Sequence, residues 1–152
     1  MRPLDVILVA WILSACATGT TDRSLDAEAK LFRALADKAC IYVVPSNSTV
    51  AVTISMDGRK VGTLENANYL RLDVPPGRHV FSVTRSSLIP AFLSETPQSI
   101  PVEAEAGHCY FLRTLWIQDE RSLRSYRAYL NLVSEEEGER EVNVRTLMLP
   151  TK

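Results

Sequence analysis

From residue 40 onward the apolar residues fall mostly at every second position, interrupted at short intervals by proline, glycine and asparagine, and that rhythm predicts strands. Cys40-Ile41-Tyr42-Val43-Val44, halted by Pro45, reads as the first. Val50, Val52, Ile54 and Met56 alternate with Thr49, Ala51, Thr53 and Ser55, and Asp57-Gly58 turns tightly onto a partner strand, Arg59 to Leu64. Leu70, Leu72 and Val74 continue the pattern up to Pro75-Pro76-Gly77, after which His79, Phe81 and Val83 share one strand face. Beyond a long connection, Ser99 to Glu105 and His108 to Ile117 follow, and Ala128, Leu130 and Leu132 mark a last central strand.

Helical spacing occurs at the two ends. Leu25, Phe32, Leu35 and Ala36 recur on one side of an amphipathic helix behind Ser24, a suitable cap. Ser134 with Glu135, Glu136 and Glu137 has the Ser-x-x-Glu spacing of a capping box. Gly138 weakens that second helix by about 1 kcal/mol relative to alanine, and Val142 and Val144, at spacing two, leave a strand as the alternative there. The elements predict a mainly β chain: a single small antiparallel β-sandwich, Ig-like, over residues 24–152, with a short N-terminal helix and either a helix or a strand at the C-terminus.

The first residues follow a different rule. Met1-Arg2 precede an apolar stretch, Val6 to Leu13, then come Ser14-Ala15-Cys16 and a polar run from Thr18 to Arg23. Spanning a bilayer takes about 20 apolar residues, so the stretch reads as a secretory signal and not as a membrane helix. Leu13-Ser14-Ala15-Cys16 resembles the lipobox of bacterial lipoproteins. That resemblance implies a signal peptide over 1–15, diacylglycerol on the Cys16 sulfur, an acyl chain such as palmitate on its amine, and a lipidated tether over 16–23. Each buried methylene contributes about 0.8 kcal/mol, so several chains hold where one is marginal. Ala17, in place of Asp after the cysteine, implies the outer membrane, with the domain facing the periplasm. Asp5 departs from the usual pattern by offsetting the positive charge of Arg2.

Composition changes this picture little. The chain is 46% hydrophobic with a formal net charge of −1, enough apolar material for one packed core. Its Lys and Arg residues form no stripe, so nucleic acid is not an expected partner. If Cys16 carries lipid, Cys40 and Cys109 remain in an oxidising compartment, where they read either as a disulfide or as two buried thiols.

The order of several short motifs behind the lipobox resembles a family of bacterial lipoproteins that carry a conserved domain of unknown function, itself similar to PEGA-type surface β-sandwich modules. The matching residues are Ala39-Cys40-Ile41-Tyr42-Val43, Asp57-Gly58 with Val61-Gly62, Asn68-Tyr69, Val74-Pro75-Pro76-Gly77-Arg78-His79 and Ala106-Gly107-His108-Cys109-Tyr110-Phe111, together covering roughly residues 36 to 117. The resemblance implies a periplasm-facing, non-enzymatic module anchored by its lipid, with an envelope protein as partner, and it carries over no catalytic residue.

The residues themselves offer little chemistry. There is no Gly-x-Ser-x-Gly elbow, and the two histidines have bland readings. His79 sits with Phe81 and Val83 as a core-edge histidine holding a hydrogen bond. His108 and Cys109, adjacent on a strand, point to opposite faces and cannot act as a thiol–imidazole pair. No Cys-x-x-Cys or His-x-x-x-His spacing supports a metal, and Glu135 to Glu137 read as a solvated face. No cofactor is expected beyond the lipid. Two stretches are candidates for interaction. One is the Ser86 to Ser99 connection, with Leu88, Ile89, Phe92 and Leu93, which reads more readily as closing the open end of the core. The other is a basic-aromatic grouping of Arg113, Trp116, Arg121, Arg124, Tyr126 and Arg127, suited to a cell-wall glycan or small ligand.

Overall fold

The computed structural model describes residues 23–46, 49–86, 97–118 and 126–151. Helix α1 (Arg23–Ala29) is followed by strands β1 (Ala39–Val44), β2 (Val52–Met56), β3 (Arg59–Leu64), β4 (Asn68–Val74), β5 (Gly77–Arg85), β6 (Gln98–Ala104), β7 (Cys109–Gln118) and β8 (Tyr126–Val133), then helix α2 (Glu135–Asn143) and strand β9 (Thr146–Met148). The strands form two sheets, ordered β8-β7-β1-β4-β9 and β3-β2-β5-β6, and the molecule is a small β-sandwich.

The alternation seen in the sequence is what fills the space between the sheets. Val52 and Ile54 of β2, Leu70, Leu72 and Val74 of β4, Phe81 and Val83 of β5, and Ala128 and Leu130 of β8 all enter one buried cluster. β1 is buried at every position because it is central and covered on both faces. Ala39, Ile41 and Val43 join the inter-sheet core, whereas Cys40, Tyr42 and Val44 join a second cluster on the outer side of the five-stranded sheet, beneath the helices. Its unbroken apolar run is the signature of such a strand.

Three details correct the sequence-based expectations. The sandwich is not antiparallel throughout: β1 pairs parallel with β7, and β4 parallel with β9. Parallel neighbours need long connections: between β1 and β7 the chain passes through β2 to β6, and between β4 and β9 through β5 to β8 and α2. β8 is an edge strand, not a central one, and the last strand is β9. The N-terminal helix stops at Ala29 instead of running through Ala36. Phe32 adopts φ 51°, a left-handed conformation that ends helical propagation, and its ring is held 5.4 Å from Tyr42 and 5.9 Å from Phe111.

At the other end the helix reading of residues 135–143 holds. Ser134 caps α2, accepting from the Glu137 amide at 3.3 Å as the capping-box spacing requires. Val142 is buried in the helix and Val144 follows as its C-cap, before β9 begins.

Candidate functional site

The outer face of the five-stranded sheet carries an aromatic layer. Tyr42 and Phe111 are register partners on neighbouring strands, and their rings stack at 5.0 Å and 12°. Tyr69 of β4 lies 6.1 Å from Tyr42. Burial pushes the Tyr42 hydroxyl up to about 12, and the hydroxyl donates to the Ala29 carbonyl at 2.5 Å, fixing the end of α1 to the sheet.

Asp26 fixes the rest of the helix. Its Oδ1 accepts from the Tyr69 hydroxyl at 3.0 Å and from the Leu147 amide at 2.8 Å, while Oδ2 pairs with Lys30 at 2.8 Å. Burial pushes the carboxyl up, but these donors outweigh it and hold Asp26 below its ordinary value. Lys30 also donates to the Arg145 carbonyl at 2.7 Å. One carboxylate therefore ties α1 to both β4 and β9.

Beside this clamp lies a cleft of about 330 Å³. Leu25 and Ala29 of α1, Leu35, and Leu147, Leu149 and Pro150 give it apolar walls, and Arg71, Asp73 and Glu28 supply the charge. Arg71 is already engaged: Nη2 donates to Asp73 at 3.1 Å and to the Arg33 carbonyl at 2.9 Å, with the guanidinium 5.7 Å from the Tyr42 ring centroid. Leu25, Leu35 and Leu149 remain 40%, 49% and 56% exposed. Among the described lining residues there is no serine, cysteine or histidine, and the walls are mainly apolar.

The residues singled out in the sequence are placed elsewhere. Cys16, Leu88, Ile89, Phe92, Leu93, Arg121 and Arg124 lie outside the described residues. Cys40 and Cys109 face each other across β1 and β7, with Cα atoms 4.5 Å apart, and are joined by a disulfide. Arg113 and Trp116 do not share a surface. Trp116 packs against the inter-sheet core, whereas Arg113 lies on the opposite face of β7 and pairs with Glu137 of α2. Alternation separates residues three apart on a strand, so the basic-aromatic grouping is split by the sheet. Arg127 is partly buried in register with Ile117.

His79 holds its core-edge position with both ring nitrogens bonded, Nδ1 to Asp57 at 2.8 Å and Nε2 to the Pro75 carbonyl at 2.9 Å. The Asp57 hydrogen bond raises the imidazole pKa, and the same bond lowers that of Asp57. His108 is exposed and bonds through Nδ1 to the Ala106 carbonyl at 3.1 Å. Among the described residues no cluster of three His, Cys, Asp or Glu side chains gathers to hold a metal.

Sequence reasoning did not find the clamp or the cleft. The helical and strand periods single out apolar residues such as Leu25, Leu70 and Leu72, and Asp26, Arg71 and Asp73 are the polar positions between them. Their partners lie on β4, β9 and the segment after α1, so no local spacing reports them.

A family model described as a protein of unknown function, DUF2846, matches residues 35–124, more than half of the chain. The matched region carries β1 to β7 and the disulfide, while α1, β8, α2 and β9 lie outside it. No curated protein is similar enough to this chain to count as a match.

Proposed function

We propose that this chain, which belongs to the DUF2846 family, works as a membrane-tethered lipoprotein of the bacterial envelope, a non-enzymatic interaction or assembly module facing the periplasm from the outer membrane. The observation that carries this reading is Leu13-Ser14-Ala15-Cys16, which has the lipobox pattern after an apolar stretch and stands seven positions before α1. The Cys40–Cys109 disulfide supports it, because such bonds persist in exported proteins and are rare where thiols are kept reduced. The likeness to PEGA-type surface modules, argued from the turn and aromatic motifs between residues 36 and 117, belongs to the same proposal.

The test is Cys16→Ala in the full-length chain. Wild-type protein should incorporate an acyl label, float with membranes and show the mass of a chain starting at a lipidated Cys16. The variant should lose all three. Unchanged flotation and mature mass in Cys16→Ala would refute the anchoring. Crosslinking in native envelopes then tests the partner, and recovery of only random neighbours would count against an assembly role.

A further inference from the structure

We infer that the face around the α1 cleft lies against the bilayer, so that the outer face of the β3-β2-β5-β6 sheet is the one presented to the periplasm. The inference rests on the reading of Cys16 as the lipid-bearing residue. Eight large apolar side chains are exposed among the described residues, and four of them, Leu25, Leu31, Leu35 and Leu149, belong to α1, the segment after it or the tail beyond β9. Three of these line one cleft. Exposed leucines grouped in this way mark a contact surface, whereas leucines scattered singly would not.

The tether identifies what covers them. From Cys16 to Arg23 the chain can extend at most about 25 Å, while a domain of this length has a radius of gyration of about 14 Å and is roughly 36 Å across. The leash is shorter than the body it holds. It joins the domain at the start of α1, so the α1 face meets the bilayer at the high effective concentration of a short linker, and weak apolar contacts suffice.

The charges on this face are compatible with lipid. Asp26 is paired with Lys30 and Asp73 with Arg71, so contact strands neither carboxylate unpaired. Arg23, Glu28 and Arg33 are exposed, which suits the hydrated headgroup layer. The opposite surface has a different character. Thr63, Thr53 and Thr84 form one row across β3, β2 and β5, and Lys60, Ser55, Ser82 and Ser99 form another that extends to β6. Hydroxyls dominate there, which suits water or a polar partner.

The experiment places a benzophenone side chain at Leu35, at Leu149 or at Thr84 in the full-length lipidated protein. Each version is reconstituted in vesicles of phosphatidylethanolamine and phosphatidylglycerol, checked by flotation, irradiated and analysed by mass. Phospholipid adducts should form at Leu35 and Leu149 and be lost at Thr84, because a leash of about 25 Å is shorter than a body roughly 36 Å across. Equal yields at the three sites on floating vesicles would overturn the orientation while leaving the anchor intact. Dimer adducts in place of lipid at Leu35 and Leu149 would also overturn it, giving the face to a second copy. Protein that carries no lipid and does not float removes the anchoring reading and this inference with it.

Discussion

Replacing Gly138 with alanine sets secondary-structure propensity against packing. In an exposed helix interior the change stabilises by about 1 kcal/mol, since alanine restricts the unfolded chain and favours helix. Gly138 is buried, and its missing side chain is where Phe111 lies. A Cβ at this position would fall 2.2 Å from Phe111 Cγ and 2.4 Å from its Cβ and Cδ1, where ordinary contact begins at 3.4 Å. The ring cannot easily move away, being 1% exposed and stacked on Tyr42 at 5.0 Å. Overpacking of this kind costs about 1–3 kcal/mol, and the severity of the overlap favours the upper end. Set against the propensity gain of about 1 kcal/mol, the net loss should be about 2 kcal/mol. Urea unfolding should show a midpoint lowered by about 1 M with an unchanged slope. Combined with Phe111→Ala, which removes Cγ and Cδ1, two of the three overlapping atoms, the same change should cost much less, and that difference measures the contact. A raised midpoint for Gly138→Ala, or an equal loss in both backgrounds, would falsify the packing argument.

Other outcomes follow from the remaining contacts. Reduction of Cys40–Cys109, which closes a loop with a sequence separation of 69, should destabilise by about 4 kcal/mol on chain-entropy grounds, read as the urea midpoint with and without reductant; full alkylation of both thiols in unfolded protein that has met no reductant would remove the disulfide altogether. His79 has a raised pKa in the fold, so its contribution is complete below the ordinary value of 6.5 and is lost as pH rises through the raised one. Asp57 has a lowered pKa, so its share is present above the ordinary 3.8 and is lost as pH falls through the lowered one. The melting temperature of wild type should therefore decline more steeply from pH 5.5 to 8.5 than that of His79→Gln, and matching slopes would exclude the pair as the cause. Asp26→Ala removes the acceptor for Tyr69 and Leu147 and should cost about 2–3 kcal/mol. Amide exchange at Leu147 should accelerate, and unchanged protection there would show that the clamp does not hold β9.

How far the fold could be read depended on where each residue's partners lie. Val52 and Ile54, or Phe81 and Val83, declare themselves because a strand with one buried face imposes its period on its own sequence. Ser134 and Glu137 declare α2 because capping acts within one turn. Phe32 could not be placed this way: its apolar character fits a helix face, and only the contacts with Tyr42 and Phe111 show that the chain leaves the helix to deliver it. Trp116 and Arg113 looked like one binding surface because they are close in sequence, yet they belong to different layers. The cleft was illegible for the same reason, being assembled from α1, Leu35, β4 and the C-terminal tail.

The sequence by itself determined the positions of β1 to β8, the turns, the capping-box spacing at Ser134 and the lipobox-like quartet, all of which depend on interactions between near neighbours. Only the tertiary structure decided the mixed pairing, the early end of α1, the Asp26 clamp and the cleft, because each requires residues far apart in the chain to meet. Gly138 shows the boundary between the two: propensity alone marks it as a weakness in a helix, and the presence of Phe111 makes it the residue that lets that helix pack.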